Sequence, residues 1–90
     1  MSISRTVQIC NRRGLHARAS AKFVTMASGL SAQVEVEKEG TRVVGTSIMG
    51  LMMLGAALGD EITIHGSGDG AEQAVNALAE LVEARFHEAE

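Results

Sequence analysis

Arg13-Gly14-Leu15-His16-Ala17-Arg18-Ala19 is the stretch at which one periodicity gives way to another. Before it, Ile3-Ser4-Arg5-Thr6-Val7-Gln8-Ile9 alternates apolar and polar residues, with β-branched side chains at apolar positions, as a half-buried strand does. After it, Ala19, Phe23, Met26 and Ala27 recur at i, i+4, i+7 and i+8, one apolar stripe along a helix. That helix is expected to stop at Gly29, which suits the left-handed C′ position, with Leu30 folding back on the last turn. Cys10-Asn11-Arg12-Arg13-Gly14 forms the polar connection. His16 therefore falls where a glycine-hinged loop turns into a helix.

The remaining chain repeats these two patterns. Ala32-Gln33-Val34-Glu35-Val36-Glu37 alternates, Lys38-Glu39-Gly40 turns, and Thr41-Arg42-Val43-Val44-Gly45 returns, which together predict a β-hairpin. Thr46 and Ser47 offer hydroxyl caps to a short helix from Ile48 to Leu54, closed by Gly55. Glu61-Ile62-Thr63-Ile64-His65 predicts a fourth strand. Asp69-Gly70-Ala71-Glu72 has capping-box spacing, with Asp as the cap, and opens a last helix. Ala71, Ala74, Val75, Leu78, Leu81, Val82 and the stem of Arg85 make its buried stripe. The order is βαββαβα, an α+β single domain over residues 1–90. A sheet with one polar face must carry all three helices on the other.

Composition narrows the function. The formal charge of −3, only two phenylalanines and no Tyr or Trp argue against nucleic-acid binding. One cysteine, Cys10, leaves no intramolecular disulfide framework. No apolar run reaches membrane-spanning length, and Met1-Ser2-Ile3-Ser4-Arg5 lacks the apolar core of a signal peptide, so a cytoplasmic location is expected. Charge is also segregated. Residues 1–22 hold five cations and no acid, whereas residues 23–90 hold three cations against eleven acids. If the basic segment folds around His16, the site attracts acidic partner surfaces, and salt weakens that attraction.

A helix start leaves about four backbone N–H groups without intrahelical partners and carries the positive end of the helix dipole. It therefore seats anions. The amides of Ala17 and Arg18 and the planar guanidinium of Arg18 suit phosphate oxygens, and a neutral imidazole is a nucleophile for phosphorus. The residues alone leave two readings open: His16 carries a phosphoryl group, or it only caps a helix in a non-catalytic α/β interaction or ligand-sensing domain. His16, His65, His87 and Cys10 show no metal-ligand spacing, so neither metal nor cofactor is expected. His65 belongs on the exposed strand face and His87 at a frayed terminus.

Gly14-Leu15-His16-Ala17-Arg18-Ala19-Ser20-Ala21-Lys22-Phe23-Val24, followed by Ser47-Ile48-Met49-Gly50-Leu51-Met52 and the terminal helix pattern, resembles the HPr family, the histidine-containing phosphocarriers of the bacterial phosphotransferase system. The resemblance runs over nearly the whole chain. It implies an open-faced sandwich with an antiparallel sheet in the order 1-4-2-3. It also implies that His16, assisted by Arg18, accepts a phosphoryl group from enzyme I, which draws it from phosphoenolpyruvate, and passes it to an EIIA-type acceptor. By family precedent the phosphorus bonds Nδ1. Such a protein is a monomeric carrier without turnover of its own.

The resemblance further implies that Ile48, Met49, Leu51 and Met52 are partly exposed docking contacts, and that Ser47 matches a serine which a kinase/phosphorylase modifies in some members. Many members have proline where this chain has Ala19 and asparagine where it has Arg13, so Arg13 is a candidate partner contact. Service in sugar uptake and in the nitrogen-related regulatory branch both fit.

Overall fold

The computed structural model describes residues 2–89. Alternating side chains build four strands, β1 (Ser2–Gln8), β2 (Gln33–Lys38), β3 (Thr41–Val44) and β4 (Glu61–Ser67), in one antiparallel sheet ordered β1-β4-β2-β3. The register sets Val7 opposite Ile62 and Val36 opposite Ile64, so the inward residues of three strands form one apolar layer. The outer face is polar: Thr6 and Thr63 share a hydrogen bond of 2.9 Å, and His65 Nε2 meets Glu37 Oε1 at 2.8 Å. His65 thus lies on the outward face, as its alternation requires.

Helices α1 (Ala17–Ser28), α2 (Ile48–Met53) and α3 (Ala71–Glu83) cover the inner face. α3 buries Ala71, Ala74, Val75, Leu78, Leu81 and Val82, the stripe read from its periodicity, and Ala79 besides. Phe23, Leu78, Ile62, Ile64, Val36 and Leu51 are fully buried, each contributing about 1.5–3 kcal/mol by leaving water.

Four local expectations are corrected. Gly29 ends α1 with φ −85°, right-handed rather than left-handed, and its N–H bonds back to the carbonyl of Met26. The residue capping α3 is Gly70, at φ 74°, and no side chain caps the helix; Asp69 lies outside it. Arg85 is exposed: the helix stops at Glu83, and Phe86 fills the buried position beyond. His87 does not fray. Arg85, Phe86 and His87 all have positive φ (59°, 54° and 58°) and form a left-handed turn, closed by His87 N–H to Ala84 O and Glu88 N–H to Arg85 O, both 3.0 Å.

Candidate functional site

The loop before α1 is held by backbone contact. Gly14 has φ 64°, and a Cβ there would lie 2.3 Å from the carbonyl oxygen of Ala56. No larger residue fits this approach without moving the loop. Leu15 N–H then bonds Ala56 O at 3.0 Å, and the buried Ser20 hydroxyl donates to Leu15 O at 3.2 Å. Between these two anchors His16 is the N-cap of α1, with extended backbone angles, and its carbonyl accepts the first helical bond from Ser20 N–H at 2.8 Å.

The imidazole does the capping. Nδ1 accepts the N–H of Arg18 at 3.2 Å, in the place where Ser or Asp usually serves. Nδ1 therefore presents its lone pair to the positive end of the helix. The other ring nitrogen, Nε2, meets the carboxylate of Glu88. Glu88 also accepts from Asn11 Nδ2 at 3.2 Å, and the same amide donates to Gly14 O at 2.9 Å. Burial opposes the charge on Glu88, but the bonds from His16 and Asn11 and the nearby charge of Lys22 outweigh it. The carboxyl is held below its ordinary value of 4.5.

A cleft of about 510 Å³ joins Arg12, Arg13, His16, Arg18, Lys22 and the end of the chain from His87 to Ala89. The structure thus brings together His16, Arg18 and Arg13, as expected, and adds Glu88 and Asn11. Lys22 Nζ is committed to the carbonyl of Phe86, at 2.7 Å. Ala17 is exposed at the first position of α1. A larger cleft, about 680 Å³, lies on the outer sheet face among Glu37, Lys38, Glu39, Asp60 and Glu61. Its carboxylates suit a phosphate poorly, so size does not locate the site.

Ser47 caps α2, its Oγ accepting Gly50 N–H at 3.0 Å. Ile48, Met49 and Met52 are exposed, at 40, 73 and 44%. Leu51 is not: it is fully buried, so its expected role as a docking contact is corrected to a core role. Leu51 and Leu54, three apart, face inward, while Met53 and Leu58 join Ile48, Met49 and Met52 on the exposed apolar surface. No helix among the described residues is long and apolar enough to cross a membrane.

A family model described as the PTS HPr component phosphorylation site matches residues 3–84. The chain is 44% identical to phosphocarrier protein HPr of Neisseria meningitidis, with 98% of this chain and 99% of that protein covered. It is 39% identical to phosphocarrier protein NPr of Shewanella violacea, over 97 and 96% of the two chains. The crystal structure of HPr-C-His from Thermoanaerobacter tengcongensis superposes with a TM-score of 0.92 at 42% identity, covering 98% of this chain and 99% of that one. With this fold, this strand order and similarity over nearly its full length, the chain belongs to the HPr family of phosphocarrier proteins of the phosphotransferase system.

Proposed function

We propose that the phosphoryl group is carried on Nδ1 of His16, taken from phosphorylated enzyme I and handed to an EIIA-type acceptor, with the protein acting as a monomer. One observation carries the reading: Nδ1 accepts the Arg18 N–H at the start of α1, so its lone pair is unprotonated and lies where a helix terminus favours anions. In the transfer, the lone pair forms the N–P bond as the bond from phosphorus to the donor atom breaks and its electrons return to the donor. The Arg18 N–H, released from the ring, is then free to bond a phosphoryl oxygen. Arg18 and Arg13, which line the same cleft, neutralise oxygen charge. The partner supplies in-line positioning.

Docking falls to Ile48, Met49 and Met52, with Met53 and Leu58 alongside. Thioethers adapt to several partners, which suits a carrier that meets a donor and an acceptor in turn. A serine kinase/phosphorylase acting on Ser47 would place about two negative charges beside that apolar surface, weakening docking without refolding α2. Incubation with enzyme I and phosphoenolpyruvate tests the assignment. An acid-labile, base-stable phosphate is expected, absent from His16→Ala; a variant still labelled to the same extent contradicts it.

A further inference from the structure

The hydrogen bonds around His16 fix which ring nitrogen holds a proton. Nδ1 accepts from a backbone N–H and so has none, and a neutral imidazole must then carry its proton on Nε2, where the Glu88 carboxylate receives it. Building on the assignment of phosphoryl transfer to His16, we propose that Glu88 is a positioning residue: it locks the imidazole in the tautomer that leaves Nδ1 as the nucleophile, and balances the positive charge the ring gains as the N–P bond forms.

Glu88 is not a casual surface neighbour. The two side chains are 19 and 12% exposed, and the second oxygen of Glu88 is held by Asn11, which is fully buried. Asn11 directs its amide at two acceptors, Gly14 O and Glu88 Oε1, and leaves its own Oδ1 as a buried atom without a partner. Only one orientation of the amide meets both acceptors, so loop, carboxylate and ring form one network. The segment that delivers Glu88 is equally constrained. Three consecutive residues adopt a left-handed conformation rare for L side chains, anchored by buried Phe86 and by Lys22 on its carbonyl. Glu88 also lies outside residues 3–84, the part matched by the family model. A carboxyl titrating below 4.5 is ionised at neutral pH, so the partner of Nε2 is a carboxylate.

No proton moves in either direction of transfer. The Nε2 proton stays on the ring while the N–P bond forms at Nδ1, and it is still there when the phosphoryl group leaves and the lone pair returns. The carboxylate therefore favours the phosphorylated, positively charged ring without acting as a base.

Long-range 1H–15N correlation of the unphosphorylated protein at neutral pH reads the tautomer with no donor present, independently of whether His16 is the carrier. The wild type is expected to show the Nε2–H form and Glu88→Ala a mixture, with phosphotransfer from enzyme I slowed about tenfold, as when a histidine loses its orienting partner. Glu88→Gln keeps an acceptor and the fold but removes the charge. It is expected to keep the tautomer and still lose rate. Wild-type nitrogen shifts in Glu88→Ala, or wild-type rates in both variants, overturn the proposal, whereas labelling that persists in His16→Ala overturns the carrier assignment instead.

Discussion

The two ends of the functional surface are built on opposite principles. At the start of α1 the polar groups around the ring are committed: both nitrogens of His16, Nδ2 of Asn11, the carboxylate of Glu88 and the ammonium of Lys22 each have a named partner. Along α2 the outward side chains are apolar and exposed, Met49 at 73% and Met53 at 79%. Chemistry at a single nitrogen needs geometry fixed in advance, whereas recognition of successive partners needs side chains that repack. Under the proposed function, one domain separates the two demands by using a capped helix start for the first and the short helix α2 for the second.

The contrast inside α2 gives the largest expected effect. Leu51→Ala removes a fully buried side chain and should cost about 2–5 kcal/mol of stability, while Met52→Ala, one residue on, should stay within about 0.5 kcal/mol. Transfer should respond inversely, with folded Met52→Ala losing up to about tenfold in kcat/KM toward the acceptor. Equal loss of stability in the two variants would erase the division between core and docking face.

Two glycines sharpen the same comparison, since Gly14 and Gly55 both have φ 64°. A methyl group at Gly14 meets Ala56 O, while at Gly55 it meets nothing within 4 Å. Gly14→Ala should therefore cost about 2–3 kcal/mol and Gly55→Ala about 1 kcal/mol, read as a fall in Tm of roughly 8 °C or more against roughly 4–8 °C. Similar shifts would mean that the loop before α1 is no tighter than the one after α2.

Ser47→Asp places charge at the head of α2 without touching the His16 network. Acceptor transfer is expected to fall by about tenfold with the far-ultraviolet spectrum unchanged. Unaltered rates would detach Ser47 from docking.

The smallest effect is one of pH. Because the folded carboxyl of Glu88 titrates below its ordinary value of 4.5, its contribution to stability is complete above that pH and disappears as pH falls through the lowered native value. The contribution should be missing from Glu88→Gln, so the stability difference between the two proteins should narrow on acidification. A difference that widens would reverse the sign assigned to the contact.

What the sequence discloses follows from distance along the chain. Period-two alternation places Val34, Val36, Ile62 and Ile64 inward, and period 3.6 gives the α3 stripe, because both patterns are local consequences of burial. The phase of α2 is not legible in the sequence: Ile48, Met49, Leu51, Met52, Met53 and Leu54 are apolar almost all round, so nothing in the pattern sets Leu51 apart from Met52. The helix start itself points to His16 and Arg18, the resemblance adds Arg13, and the three share a cleft. Glu88 and Asn11 stayed hidden. Glu88 stands 72 positions from His16 and reaches it only through a left-handed turn of residues that seldom form one. A phenylalanine beyond the end of a helix pattern, Phe86, was the available signal that the chain folds back there.

Under the proposed function, phosphorus in the phosphorylated protein is bonded to Nδ1 of His16. The most direct test is phosphorylation of the 15N-histidine-labelled protein by enzyme I and phosphoenolpyruvate, followed by measurement of 31P–15N coupling in mild alkali. Coupling to Nδ1 of His16, with the proton retained on Nε2, is the expected result. Coupling to Nε2, or a phosphorylated protein in which His16 is unmodified, would contradict the account.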